Sequence, residues 1–212
     1  VPCVLMRAGT SRGPFFLREW LPEDEVRRDE VLIGAIGASD HLGLDGVGGG
    51  STLTSKVAIV SRSAREGCDV DYLFAQVGVG TRSVDTRPNC GNMLSGVGPF
   101  AIEQGLVPAK GGPDGKTRVR VFNVNTGSRI DVTVLTPGGR VRYDGIARID
   151  GVAGTAAPIQ LDFLDAWGAV TGSVFPTGRR IDVIDGTPLT CIDAAMPLVI
   201  IRAADLDGYG IR

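Results

Sequence analysis

A single histidine, His41, and four widely separated cysteines (Cys3, Cys68, Cys90, Cys191) leave little from which to build a metal centre. Metal sites of that kind draw on clustered Cys and His ligands, and no C-x-x-C pair occurs, so no metal is expected. A disulfide framework is not needed either, because 212 residues can bury a core of their own as one large domain or two small ones. Aromatics make up 6% of the chain and the formal net charge is −2. Those values remove both the stacking platform and the electrostatic attraction on which nucleic-acid binding depends. No run of about 18 apolar residues is present to cross a bilayer, so no membrane partner is expected and cytoplasm is the expected compartment. The G-x-S-x-G elbow and the G-x-x-x-x-G-K-[ST] phosphate loop are missing too. His41 lies in Ser39-Asp40-His41-Leu42 with no recognisable catalytic partner, and reads as a surface residue.

Glycine is the residue in excess, at 31 positions. The glycines fall as pairs and triplets between short β-type runs, as expected for tight turns and for backbone that approaches a ligand closely. Val1–Met6 reads as a buried strand, Arg7–Gly13 as a polar loop, and Phe15–Leu17 as resumed strand. Leu21–Glu25 opens a helix that ends near Gly37, and Asp45–Thr52 is a loop. Lys56–Val60 and Val70–Val77 are strands, and Met93–Gln104 is a small-residue helix that stops at Gly105. Arg118–Val124 and Ser128–Val134 alternate at period two around an Asn125-Thr126-Gly127 turn. Arg140–Tyr143, Pro158–Phe163, Ile181–Gly186 and Leu189–Ile201 continue the β character, and Ala203–Leu206 starts a helix.

Chemistry concentrates in three places. In Asn89-Cys90-Gly91-Asn92 a thiol stands at the seam between a turn and a helix, where unsatisfied N–H groups and the positive dipole end favour thiolate or hold a carboxylate. Asn89 and Asn92 add amide donors for a carboxylate or enolate oxygen. In Gly48–Lys56, Lys56 sits where a glycine-rich loop enters an apolar strand, with Thr54 and Ser55 supplying hydroxyls that orient an anion. A lysine in that position can act as a base when it is partly desolvated. In Gly9–Gly13, the hydroxyls of Thr10 and Ser11 suit a carboxylate or phosphate. Lys56 and Cys90 together make a two-residue proton-transfer site that takes a proton beside a carbonyl and returns one elsewhere. That chemistry requires no cofactor.

Four motifs, Met6–Gly13, Asp45–Gly49, Leu53–Val60 and Asn89–Asn92, resemble in order those of the PrpF-like isomerases, which have the diaminopimelate-epimerase-like fold. Asp71–Val77 and Gly96–Glu103 look most like the oxalomesaconate tautomerase branch, and the resemblance runs from Val1 to about Ile201. It implies an α+β fold with a curved, mostly antiparallel sheet wrapped around a central helix, in two similar lobes. By that reading residues 1–187 form the first lobe and residues 188–212 the start of a second, most of which the chain would lack. The resemblance implies Lys56 as base and Cys90 as its partner, with Thr10, Ser11, Ser55, Asn89, Gly91 and Asn92 at carboxylate-binding positions. Thr177, Gly178 and Met196 would line the cleft, with Ala195 and Pro197 beside the last. Arg12 and Ala8 replace the lysine and glycine usual in the family, and Arg12 could alter the carboxylate contacts. The implied activity is cofactor-independent movement of a proton along an allylic system of a small unsaturated keto-tricarboxylate such as 4-oxalomesaconate. A 2-methylaconitate cis-trans isomerase and an inactive binding module are the alternatives. The small-molecule substrate is the expected partner, and a homo-oligomer is compatible with the reading.

Overall fold

The computed structural model describes residues 1–194 and 196–206. The chain divides into two compact units, one made of residues 1–125 and 129–162, the other of residues 126–128 and those from Phe163 onward. No helix among the described residues is long and apolar enough to cross a membrane.

The first unit is a mixed sheet with a helix on each face. β1 (Val4–Ala8) and β2 (Ser11–Leu17) form a hairpin in which Ala8 pairs with Ser11; the strand expected to be buried from Val1 starts at Val4 and lies at the sheet edge, which leaves Leu5 exposed. The polar stretch Arg7–Gly13 expected as a loop is therefore mostly strand, and only Gly9 and Thr10 turn. Its polarity reflects one exposed edge and face, since Arg7 and Arg12 are exposed while Ala8 and Ser11 are buried. The chain leaves β2, forms α1 (Glu25–Ile36), and returns as β3 (Lys56–Arg62) parallel to β2. α1 starts one turn later than Leu21 because Asp24 provides the cap, its carboxylate accepting the Arg27 N–H at 3.0 Å. β4 (Val70–Val77) runs antiparallel to β3, and the short β5 (Val84–Asp85) pairs with β4. A second crossover, through α2 (Gly91–Glu103), brings β6 (Lys116–Asn123) parallel to β4. β7 (Ser128–Leu135) and β8 (Gln160–Phe163) follow, giving the order β1-β2-β3-β4-β6-β7-β8. Arg140–Tyr143, expected as a strand, forms no ladder: the Arg142 N–H donates to the carbonyl of Leu135, the last residue of β7, at 2.9 Å, and the Tyr143 carbonyl accepts the Ala157 N–H at 2.8 Å.

β3 is buried at four consecutive positions, Val57 to Val60, as expected for a strand covered on both faces. Val57 and Ile59 pack with Phe16, Leu32, Ile33 and Ile36 on the α1 side. Ala58 and Val60 pack with Phe15, Met93, Leu94, Val97 and Phe100 on the α2 side. α2 touches β1, β2, β3, β4 and β6, and Gly98 abuts Val132 and Val134 of β7. Six adjacent strands in a flat sheet would span about 24 Å, roughly twice the diameter of a helix. The sheet therefore curls around α2.

The second unit contains the antiparallel strands β9 (Asp182–Ile184), β10 (Thr187–Asp193) and β11 (Pro197–Ile201), in the order β11-β10-β9. The buried Asp193 organises the preceding loop, its Oδ2 accepting the N–H groups of Val170 and Thr171 at 2.8 and 2.7 Å. Residue 187, the expected lobe boundary, is the first residue of β10 and pairs with Ile184. Ala203–Leu206 form a single 3₁₀ turn. Ala195 and residues 207–212, the last part of the expected second-lobe segment, lie outside the described residues.

α2 carries Gly96, Gly98 and Pro99, a composition that would not hold a helix in water. Packing holds it. A Cβ at Gly98 would lie 2.7 Å from Val132 Cγ1 and 2.8 Å from Val134 Cγ2, and valine side chains are stiff. Gly98→Ala should thus reverse the usual helix-propensity gain of about 1 kcal/mol. Overpacking of about 1–3 kcal/mol outweighs it, so thermal unfolding is expected at a lower temperature, and a raised midpoint would refute this packing account.

Candidate functional site

Lys56 opens β3 and Cys90 caps α2, and the two side chains meet. Lys56 Nζ donates to Cys90 Sγ at 3.4 Å. Strand alternation puts Lys56 on the same face as Ala58 and Val60, the face that α2 covers. The Lys56 ammonium also lies 5.9 Å from the Phe74 ring centroid, within range of a cation–π attraction. Close approach of β2 completes the placement. A Cβ at Gly13 would stand 1.8 Å from the Lys56 carbonyl oxygen, so only glycine lets the two strands meet there.

Cys90 is 7% exposed and has extended backbone, φ −141° and ψ 102°, with no side-chain capping bond. Its thiol is thus not consumed by the helix. The rest of the residue is held on both sides. Its N–H donates to Asn89 Oδ1 at 2.7 Å, and its carbonyl accepts the Tyr72 hydroxyl at 3.2 Å and the Leu94 N–H at 3.1 Å. Burial, with the adjacent Cys90 adding to it, pushes the Tyr72 hydroxyl well above the usual tyrosine range, which keeps it a neutral donor.

The other expected residues divide by what they bond. Asn92 Nδ2 donates to Thr10 Oγ1 at 2.9 Å and Asn92 Oδ1 accepts the Thr10 N–H at 3.3 Å, so this amide ties α2 to the β1–β2 turn. The Thr10 hydroxyl, accepting from Asn92, keeps its own hydrogen to donate. Ser11 is 2% exposed, and its Oγ has no hydrogen-bond partner among the described residues. Ser55 is fully buried, its Oγ and carbonyl both accepting from Gln76 Nε2 at 3.0 Å. Asn89 and Gly91 are exposed at the start of α2. Thr177, Gly178 and Met196 lie in the second unit. There Thr177 Oγ1 donates to Asp182 Oδ2 at 2.7 Å, Gly178 closes a turn onto the Phe175 carbonyl, and Met196 is exposed.

Arg12 does not reach the Lys56–Cys90 pair. It alternates with Ser11 on β2, and its Nη2 donates to the Val47 carbonyl at 3.0 Å, bracing the glycine loop. His41 is exposed. Sequence reasoning missed Tyr72, Gln76, Asn123 and Asn125. The alternation Val70, Tyr72, Phe74, Gln76 would have flagged polar tips on the α2 face. That Gln76 is directly opposite Lys56, however, follows only from strand register. The groups gathered here (a lysine amino group, a cysteine sulfur, hydroxyls and amide N–H donors at a helix start) suit an anionic substrate that gains and loses a proton.

Two expectations follow. Tyr72→Phe removes one of two donors to the Cys90 carbonyl, so urea denaturation should show a loss of about 1 kcal/mol; unchanged stability would refute the contact. Asp85, in the segment leading to Asn89, has its carboxyl held down at about 2 by hydrogen bonds from the Arg87 side chain and backbone. A depressed folded-state pKa means that the clasp is fully present above the unfolded carboxylate value and is lost as pH falls through about 2. An NMR titration of the Asp85 carboxyl should show no inflection near the ordinary value of about 4.

The family described as PrpF protein matches residues 1–212. The Escherichia coli (strain K12) protein YbhH is 59% identical over 210 residues, covering 99% of this chain and 59% of that protein. A (4E)-oxalomesaconate Delta-isomerase from Novosphingobium sp. (strain KA1) is 52% identical over 213 residues, covering 100% of this chain and 59% of that enzyme. The crystal structure of a methylitaconate-delta-isomerase superposes with a TM-score of 0.88 at 42% identity, covering 100% of this chain and 55% of that one. The chain thus spans 59% or less of the length of these relatives. At 42% identity the superposition makes the curled α+β arrangement a shared fold. The chain belongs to the PrpF protein family.

Proposed function

We propose that this chain carries the acid–base pair of a cofactor-independent isomerase that shifts a proton along an allylic system of a small unsaturated polycarboxylate. The observation that carries the reading is the 3.4 Å contact between Lys56 Nζ and Cys90 Sγ at the start of α2. Its support is the 52% identity to an enzyme named for oxalomesaconate. That identity makes an unsaturated keto-tricarboxylate, 4-oxalomesaconate, the leading substrate. Residues 1–187 would be the first lobe of a diaminopimelate-epimerase-like fold and residues from 188 the start of a second.

The pair works on one face of the substrate. Lys56, as the amine, takes the proton from the allylic carbon, and the C–H electrons move through the double bond into the carbonyl to give a dienolate. The Cys90 thiol then delivers its proton to the far carbon of the same system. The thiolate left behind takes a proton from the Lys56 ammonium across their contact. One C–H bond breaks and one forms, and the pair returns to its starting state. Thr10, Ser11, Asn89, Gly91 and Asn92 would hold the carboxylates, and N–H donors at the α2 start would stabilise the developing charge. Ser55 would act by fixing the strand entry beside Lys56.

A second reading is a methylitaconate- or methylaconitate-type isomerase, which the likeness to the methylitaconate-delta-isomerase structure favours. Comparing turnover of oxalomesaconate, methylitaconate and methylaconitate separates the two readings. Lys56→Ala should lower turnover of the preferred substrate by about 100- to 10,000-fold. Rates like those of the unsubstituted protein would sink the assignment. Because both groups exchange protons with solvent, product formed in D2O should carry deuterium at the new C–H bond, and product without it would exclude this relay. No turnover of any of the three would leave a binding module instead.

A further inference from the structure

Asn123 ends β6 and is fully buried, and its amide orientation is fixed by a group that can only donate. The Asn125 N–H donates to Asn123 Oδ1 at 2.9 Å. With its oxygen engaged there, Asn123 turns Nδ2 the other way, where it donates to Asn89 Oδ1 at 2.6 Å. A second backbone donor reaches the same oxygen from the opposite end, since Cys90 N–H lies 2.7 Å from Asn89 Oδ1. Turning either amide over would set donor against donor or oxygen against oxygen. The anchor at the far end does not swivel. Asn125 spans two segments, its Nδ2 donating to the carbonyls of Phe74 at 2.9 Å and Thr86 at 2.6 Å and its Oδ1 accepting the Phe74 N–H at 2.8 Å.

With its oxygen occupied twice, Asn89 has Nδ2 left to present. That group makes no hydrogen bond among the described residues, and the side chain that carries it is exposed beside Cys90. We infer that Asn123 is a positioning residue that sets the polarity of the Asn89 amide, so that Asn89 offers two N–H donors to a substrate carboxylate instead of a carbonyl oxygen. The inference rests on the reading of Asn89 as a carboxylate-binding residue. Position 123 needs an acceptor and a donor on one short planar group. Aspartate lacks the donor, leucine lacks both, and glutamine is a methylene too long.

Two substitutions test this. Asn89→Asp keeps an acceptor for both Cys90 N–H and Asn123 Nδ2 and changes only the outward group, from donor to anionic oxygen. Asn123→Asp, studied at pH 8 where a carboxylate is ionised, still accepts the Asn125 N–H but cannot donate. Asn89 is then expected to turn over and release the Cys90 N–H. The first measurement is hydrogen exchange at the Cys90 amide, which should stay protected in Asn89→Asp and lose protection in Asn123→Asp. Unchanged protection in Asn123→Asp would overturn the relay. The second is calorimetric titration with tricarballylate, a saturated tricarboxylate. Both variants should bind it about 10- to 100-fold more weakly, the value of a charge-assisted hydrogen bond. In an Asn89→Ala background, Asn123→Asp should add no further loss, and an additive loss would show that Asn123 does not act through Asn89. Undiminished tricarballylate binding by Asn89→Asp would overturn the proposal even if Asn123→Asp fails to fold. Absence of turnover in the unsubstituted protein would count against the isomerase reading alone, since neither measurement depends on it.

Discussion

Burial of α2 inside the curled sheet is the constraint from which the rest of the first unit follows. The helix is apolar on nearly every side and carries Gly96, Gly98 and Pro99 around its middle, so it has little reason to form unless six strands close around it. Those strands must curl to reach it, and the strands nearest its start must approach closely. Lys56 enters on β3, the β1–β2 turn arrives with Thr10, and Tyr72 comes up from β4. The position of Cys90 is therefore a consequence of core packing. Hydrophobic burial supplies the energy, and the polar groups at the helix start inherit their geometry from it.

Around Cys90 each backbone group is tied to a different part of the chain. Asn89 and, through it, Asn123 hold the N–H, Tyr72 holds the carbonyl, and Asn92 fastens the next turn of helix to Thr10. Only the thiol is left to face Lys56. This division of labour is how a site gains precision, because the reacting groups are held by neighbours whose own orientations are already satisfied. It also separates two kinds of asparagine that look alike in the sequence. Asn125 is a structural tie engaged at both ends of its amide, whereas Asn89 keeps a donor outward.

The Lys56–Cys90 partnership was legible from the residues because each stands at a recognisable boundary, a glycine loop entering an apolar strand and a turn entering a helix. The hairpin across Arg7–Gly13 was not, because short strands with one exposed face have the composition of loops. Arg140–Tyr143 failed in the opposite direction. Its alternation is real, but a strand also needs a partner over several residues, and Arg142 meets β7 at its last residue, Leu135. Arg12 alternates with Ser11 along β2 and its guanidinium braces the Val47 carbonyl of the glycine loop, because one step along a strand turns a side chain to the other face.

By itself the sequence determined the positions of most long elements, the absence of a spanning apolar run, and the candidacy of Lys56 and Cys90. These follow from local periodicity, from caps and from residue chemistry, all of which act over a few positions. Only the tertiary structure decided that Gln76 stands opposite Lys56, that Tyr72 bonds the Cys90 carbonyl, and that Asn123 sets the Asn89 amide. Each of those depends on strand register and on the curl of the sheet. Packing between distant segments sets both, and local sequence does not record it.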